Sequence, residues 1–165
     1  MKRVVFCLSF VGLMFAACAT SGTKVTEPVT YAEVVEVEDA SQDALYTKAN
    51  MWFVDAFRNA DSVIQFSDKD SGVIKGKYVG DTVVTGIYIC KLSSTITVEV
   101  REGRYRISFD NPMYQYIGDA LNGIYPRPGA EGIVETEVLA AQVKEEWVRL
   151  ANNLKASINS ETPSW

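Results

Sequence analysis

The chain has three cysteines and no histidine. The missing imidazole excludes Ser-His-Asp and Cys-His nucleophilic catalysis and most zinc sites. It also removes the usual base near neutral pH. Paired carboxylates are the acid–base chemistry that remains, and Glu33, Glu36, Glu38 and Asp39 are the densest cluster. In an acidic chain such a cluster is expected on a solvated surface, so a carboxylate-dependent hydrolase is the weakest functional reading. Asp68-Lys-Asp70-Ser-Gly72 opens like a calcium loop, but its glycine falls one residue early and the twelfth position is Val79 rather than Glu. A hairpin turn is expected there. Gly72-Val-Ile-Lys-Gly76-Lys77 is one residue short of a phosphate loop, has Tyr78 in place of Ser or Thr, and sits in a strand pattern. No metal and no cofactor is expected.

Cys18 has a different context. An apolar run extends from Val4 to Ala17, broken only by Ser9 and Gly12, and Lys2 and Arg3 precede it. A positive start, an apolar middle and a small-residue exit mark a secretory signal that is removed. The run is shorter than the roughly 20 apolar residues of a membrane span. Phe15-Ala16-Ala17-Cys18 resembles the bacterial lipobox, with Phe15 where Leu is usual. In that pattern the cysteine becomes the first mature residue and carries acyl chains. Each buried methylene contributes about 0.8 kcal/mol, so one chain binds a bilayer reversibly and two or more hold firmly. The alternative is an ordinary signal peptide cut at a nearby site, such as after Ala19. Residue 19 is not the Asp that retains some lipoproteins at the inner membrane, so the expected address is the outer membrane of a two-membrane bacterium.

Removing residues 1–17 takes away Lys2 and Arg3 and no acid, which leaves 14 basic and 21 acidic side chains and a net charge of −7. That argues against nucleic acid as a partner, because nucleic acid demands basic patches. It also disfavours adhesion to anionic lipid by charge. Membrane attachment is left to acyl chains on Cys18. Cys7 leaves with the signal and Cys90 stands alone, so no disulfide is expected and the core must supply the stability.

The organisation follows from turn residues and periodicity. Residues 18–30 read as a flexible tether of small and polar residues with a proline. Tyr31 to Val37 reads as a strand. Asp39 or Ser41 caps a helix reaching about Asn59, with Leu45, Ala49, Trp52, Phe53 and Ala56 on one face. From Ser62 the period becomes two. Two-residue turns at Gly80-Asp81, Ser93-Ser94 and Glu102-Gly103 set a register. It gathers Ile74, Tyr78, Val83, Ile87, Ile89, Ile96, Val98, Val100, Tyr105, Ile107 and Phe109 on one face. Asn111 to Val134 has no clear period and reads as a long loop. A second helix runs from about Glu135 to Ile158, with Leu139, Val143, Trp147, Leu150, Leu154 and Ile158 as its stripe. Residues 159–165 read as a frayed tail. Residues 31–158 are thus one α+β domain of order β-α-β(4–5)-α. It is a two-layer sandwich, with an antiparallel sheet, two helices on one face and the other face open. Trp52 and Trp147 are expected to anchor the helices to the sheet.

Trp52 and Phe57, Ser62-Val-Ile-Gln-Phe66, Asp68 with Gly72-Val-Ile-Lys-Gly-Lys77, and Val100-Arg-Glu-Gly-Arg-Tyr-Arg106 resemble the DUF4468 family over roughly Asp43 to Phe109. The resemblance implies a TBP-like fold in an exported bacterial protein. It carries no catalytic residue and no activity, and a fold does not by itself assign one.

The register places Lys75, Lys77, Tyr88, Cys90, Thr97, Glu99, Arg101, Arg104 and Arg106 on the open face as a candidate binding surface. Tyr114, Tyr116 and Tyr125 of the long loop would extend it. The leading expectation is a non-enzymatic binding or scaffolding module, tethered to the membrane, whose partner is an envelope protein or polymer. The alternative is a carrier of a small apolar ligand, with a pocket under residues 111–134.

Overall fold

The computed structural model describes residues 23–57, 63–119, 121, 123–124 and 131–160. Cys18, Tyr125, the expected end of the first helix near Asn59 and the tail beyond Ser160 lie outside the described residues. The order is β1 (Tyr31–Glu36), α1 (Gln42–Ala56), β2 (Ile64–Asp68), β3 (Val73–Thr85), β4 (Tyr88–Arg101), β5 (Arg104–Asp119), β6 (Gly123–Ile124), β7 (Glu131–Ile133) and α2 (Glu137–Asn159). All pairings between these strands are antiparallel. The sheet runs β1-β5-β4-β3-β2, and β7 and β6 continue the β1 side of β5. Both helices pack on one face, so the α+β sandwich expected from the sequence is the fold observed.

Each helix starts where a side chain can satisfy its unpaired amides. Ser41 Oγ accepts from the Ala44 amide at 3.2 Å, and a Glu102 carboxylate oxygen accepts from Gln42 N at 3.1 Å. Thr136 Oγ1 accepts from the Leu139 amide at 3.4 Å. At the other end of α2, Lys48 Nζ donates to the carbonyls of Ile158 and Ser160 at 2.6 and 2.8 Å. This places a cation at the negative end of the helix dipole and ties the two helices together. The α2 stripe is buried throughout as its spacing predicts. In α1 the buried set is Leu45, Tyr46, Ala49, Trp52 and Phe53, and Ala56 turns to solvent.

Two of the three expected hairpin turns are absent. β4 runs unbroken through Ser93-Ser94, and β3 runs through Gly80-Asp81 to a turn at Gly86 and Ile87. Along β4 the even positions from Cys90 to Val100 are buried against the helices. Ser94 is one of them, at 1 % exposure, and its Oγ accepts the Trp147 indole N–H at 3.1 Å. Two serines that read as a turn therefore include the partner that lets a tryptophan be buried. Trp52 has its own acceptor, Asn153 Oδ1 at 2.7 Å. Trp147 also stacks on Phe109, with ring centroids 5.5 Å apart. Both tryptophans thus join helix to helix or helix to sheet.

Gly80-Asp81 is an irregularity in the ladder: β3 passes two residues where β4 passes Leu92. Asn111, at φ 49, and Pro112 sit opposite Ser94 alone, and Ile117 is extra between Tyr116 and Gly118. Each inserted residue switches which face the strand presents. Of the three two-residue turns, only Glu102-Gly103 falls as expected. It pairs Val100 with Tyr105, Val98 with Ile107 and Ile96 with Phe109. From the expected apolar face, Ile74, Tyr78, Ile96, Val98, Val100, Tyr105, Ile107 and Phe109 are core. Val83 packs at its margin, Ile89 is half-buried, and Ile87 is exposed at the hairpin tip. The expected long loop is largely strand, because residues 111–119 continue β5. Within the expected tether, Val25 N donates to Glu135 O at 2.7 Å and Val29 is buried, so Thr23 to Thr30 lie against the domain.

Replacing Ser94 by Ala leaves the Trp147 indole N–H buried without its acceptor. The expected loss is about 1–3 kcal/mol of stability, read as a lower urea midpoint with an unchanged slope. An unchanged midpoint would show that the indole does not depend on this hydroxyl.

Candidate functional site

Strand alternation builds the open face row by row. Val34, Arg106, Glu99, Val73 and Asp68 lie side by side across β1, β5, β4, β3 and β2. The next row is Ala32, Ser108, Thr97, Lys75 and Phe66. Glu36, Arg104 and Arg101 flank the first row, and Asp110, Thr95 and Lys77 flank the second. Lys75, Lys77, Thr97, Glu99, Arg101, Arg104 and Arg106 thus share one face uncovered by either helix. Arg106 forms an ion pair with Glu99, its Nε donating to Glu99 Oε2 at 2.6 Å. A shallow depression of about 190 Å³ lies between Val34, Glu99, Arg101, Arg104 and Arg106. The long side chains border an apolar spot, since Val34 is 57 % exposed. Residue patterning alone missed Val34, Ala32 and Phe66. The signal that places Val34 is the alternation of β1, but β1 lies beside β5, with α1 and three strands between them in sequence, and no turn fixes that register.

Tyr88 and Cys90 do not belong to this face. Because β4 runs on through Ser93-Ser94 with its period unbroken, they share the parity of Ile96 and Val98 and turn to the helix side, away from Thr97. There they join Tyr114 and Tyr116, which the inserted Asn111 and Pro112 turn to the same side. The four line a cavity of about 650 Å³ together with Leu139, Ile133, Thr136 and Lys24. Tyr88 and Tyr116 meet edge to face at 5.4 Å between centroids. Cys90 is 3 % exposed in this wall, and burial pushes its thiol up from the usual value. From the segment expected to roof a pocket, Tyr114, Tyr116 and residues 131–133 are strand residues in the wall of this cavity.

The acidic cluster does not converge. Alternation sends Glu33 to the helix side, where it accepts from Tyr31 Oη at 2.9 Å, and sends Glu36 to the open side. Glu38 and Asp39 are exposed beyond the strand. The Asp68–Gly72 segment is a turn between β2 and β3. The Ser71 hydroxyl first, and then the backbone amides of Asp70 and Ser71, hold the Asp68 carboxyl below the usual range, and Gly76 lies within β3. Among the described residues, no group of three or more His, Cys, Asp or Glu side chains is placed to hold a metal ion, and no helix is long and apolar enough to cross a membrane.

An antiparallel sheet with one face under two helices and the other bare defines the class. The model of a domain family of unknown function with a TBP-like fold, DUF4468, matches residues 31–115, more than half of the chain. The chain belongs to that family. Among solved structures it is similar to a TBP-like protein from Parabacteroides distasonis, with a TM-score of 0.57 and 16 % identity, covering 85 % of this chain and 99 % of that one. It is also similar to a DUF4468 family protein from Bacteroides ovatus, with a TM-score of 0.53 and 15 % identity, covering 89 % and 95 %. At these identities the likeness concerns the fold alone. No curated protein matches the chain.

The raised thiol pKa and the burial of Cys90 lead to one expectation. Iodoacetamide at pH 8 should alkylate Cys90 in the folded protein roughly tenfold or more slowly than in urea, because the thiolate is the reactive form and is disfavoured there. Equal rates would place the thiol on an open surface.

Proposed function

We propose that this chain is a lipoprotein of the bacterial cell envelope, acylated on Cys18, whose domain is a non-enzymatic binding or scaffolding module. The observation that carries the binding role is the bare sheet face. Lys75, Lys77, Arg101, Arg104 and Arg106 gather there among Glu36, Asp68, Glu99 and Asp110, a slight local excess of base on a chain whose net charge is −5. A local excess of base on an acidic molecule favours a partner with acidic groups. The exposed Val34 adds an apolar contact at its β1 edge. Such a partner is an envelope protein or an anionic envelope polymer. Support for the address is the signal-like start and the Phe15-Ala16-Ala17-Cys18 sequence.

A second reading is favoured by the 650 Å³ cavity beside Tyr88, Cys90, Tyr114 and Tyr116. Its size and aromatic walls suit a small apolar ligand. Native mass spectrometry of the purified protein tests it: a co-purifying ligand lost in a Leu139→Trp variant supports a carrier, and a ligand-free spectrum rejects it.

One experiment in cells addresses the leading reading. With labelled palmitate, the wild-type chain should take up label and Cys18→Ala should not. Crosslinking in the same cells should recover a partner that is lost on charge reversal by Arg104→Glu with Arg106→Glu. Unlabelled wild-type protein would remove the lipid anchor from the account. Unchanged partner recovery would remove the open face.

A further inference from the structure

Apolar side chains collect at one end of the domain. The β3–β4 hairpin carries Val84, Ile87 and Tyr88, which are 55, 50 and 52 % exposed. Leu121, which follows β5, is 81 % exposed and is held by its amide to Asp119 Oδ1 at 2.9 Å. Tyr88 pairs with Asp119 across the ladder, so Leu121 lies beside the hairpin tip. Ile133 of β7 is 57 % exposed at the same cavity rim as Tyr88. Val84 faces the open side of the sheet, Tyr88 the helix side, and Ile87 sits at the turn, so the tip is apolar all round. Soluble surfaces scatter such residues singly, and a cluster marks a contact surface.

The course of the N-terminal segment says what that contact is. Thr23 to Val25 run alongside the residues that start α2: Glu137 N donates to Thr23 O at 3.0 Å, Val25 N donates to Glu135 O at 2.7 Å, and Lys24 pairs with Glu135 at 3.2 Å. Lys24 and Glu135 line the same cavity as Tyr88, Thr85 and Ile133. The chain thus departs toward Cys18 from the end of the domain that bears the apolar tip. From Cys18 to Thr23 is five residue steps, a reach of at most about 18 Å when fully extended. A domain leashed that closely keeps its tethered end at the bilayer surface, where the local concentration of lipid is high.

We infer that the β3–β4 hairpin tip, with Leu121, inserts shallowly into the lipid interface of the membrane that holds the anchor. This rests on the acylation of Cys18 proposed above. Apolar burial drives the contact, because the basic side chains lie on the sheet face and not at the tip. Docked this way, the molecule stands on its end and leaves Arg104 and Arg106 free for a partner.

The test uses the full acylated chain in vesicles of phosphatidylethanolamine and phosphatidylglycerol. A nitroxide is attached at Ile87→Cys, or at Arg104→Cys as the control. Unsubstituted protein checks that buried Cys90 stays unlabelled. The ratio of oxygen to aqueous nickel-chelate collisions should be several-fold higher at Ile87→Cys than at Arg104→Cys. Equal ratios would overturn the docking. So would shielding of Ile87→Cys from both reagents, which marks a protein contact. The intact mass of the same preparation separates the two ideas. An unacylated Cys18 removes the anchor and the docking that rests on it, whereas an acylated chain with a water-exposed tip removes the docking alone.

Discussion

The structure depends on a two-residue period kept along one strand. Every second side chain of β4 from Cys90 to Val100 turns toward the helices, and the intervening ones turn away. β4 lies between β3 and β5, the two longest of its possible partners, and both make insertions to remain with it. Because the period is two, one inserted residue exchanges the faces of everything beyond it. Gly80-Asp81 in β3 and Asn111-Pro112 in β5 bring Val83 and Tyr114 to the helix side, where the uninterrupted parity would have placed their neighbours. The insertions thus extend the covered face of the sheet beyond the main core and line a cavity there. The half of the sheet before them keeps an unshifted register and carries the charged face.

Core chemistry follows the same strand. Ser94 is its one buried polar side chain, and it occurs where Trp147 presents an indole N–H. A buried donor without a partner loses its hydration and gains nothing in exchange. The hydroxyl and the ring are therefore a matched pair, and Trp147 in turn stacks on Phe109 of β5. Burial pushes the phenols of Tyr78 and Tyr105 up, Tyr105 to about 12, so both remain neutral fillers of the core under ordinary conditions.

Much of this was legible in the amino-acid order, and the misreadings have one physical source. The α2 stripe was readable because a helix repeats its buried positions through local geometry, and six spaced apolar residues fix it. The Glu102-Gly103 hairpin was readable because its glycine adopts φ 72 and apolar residues match on both sides. Gly80-Asp81 and Ser93-Ser94 have the same composition as turns, yet one is an insertion and the other lies in mid-strand. What decides between these outcomes is a partner distant in sequence: Trp147 for Ser94, and Leu92 for the Gly80 region. The open face was read correctly for Lys75, Lys77, Thr97, Glu99, Arg101, Arg104 and Arg106, which lie before the insertions. Tyr88 and Cys90 turn to the helix side because β4 keeps its period through Ser93-Ser94, where composition alone predicts a turn.

Membership of a family without an assigned activity leaves the two faces of the sheet to argue function. One offers charge on a bare surface, and the other an aromatic cleft beside the N-terminal segment. That division exists only if β4 is continuous. Native-state hydrogen exchange at the amides from Leu92 to Ile96 measures this directly. A continuous strand predicts that they open together with Ile96 to Val100, at the free energy of global unfolding. Rapid exchange at Ser93 and Ser94, with slow exchange on either side, would restore a turn there and contradict the division of the sheet into these two faces.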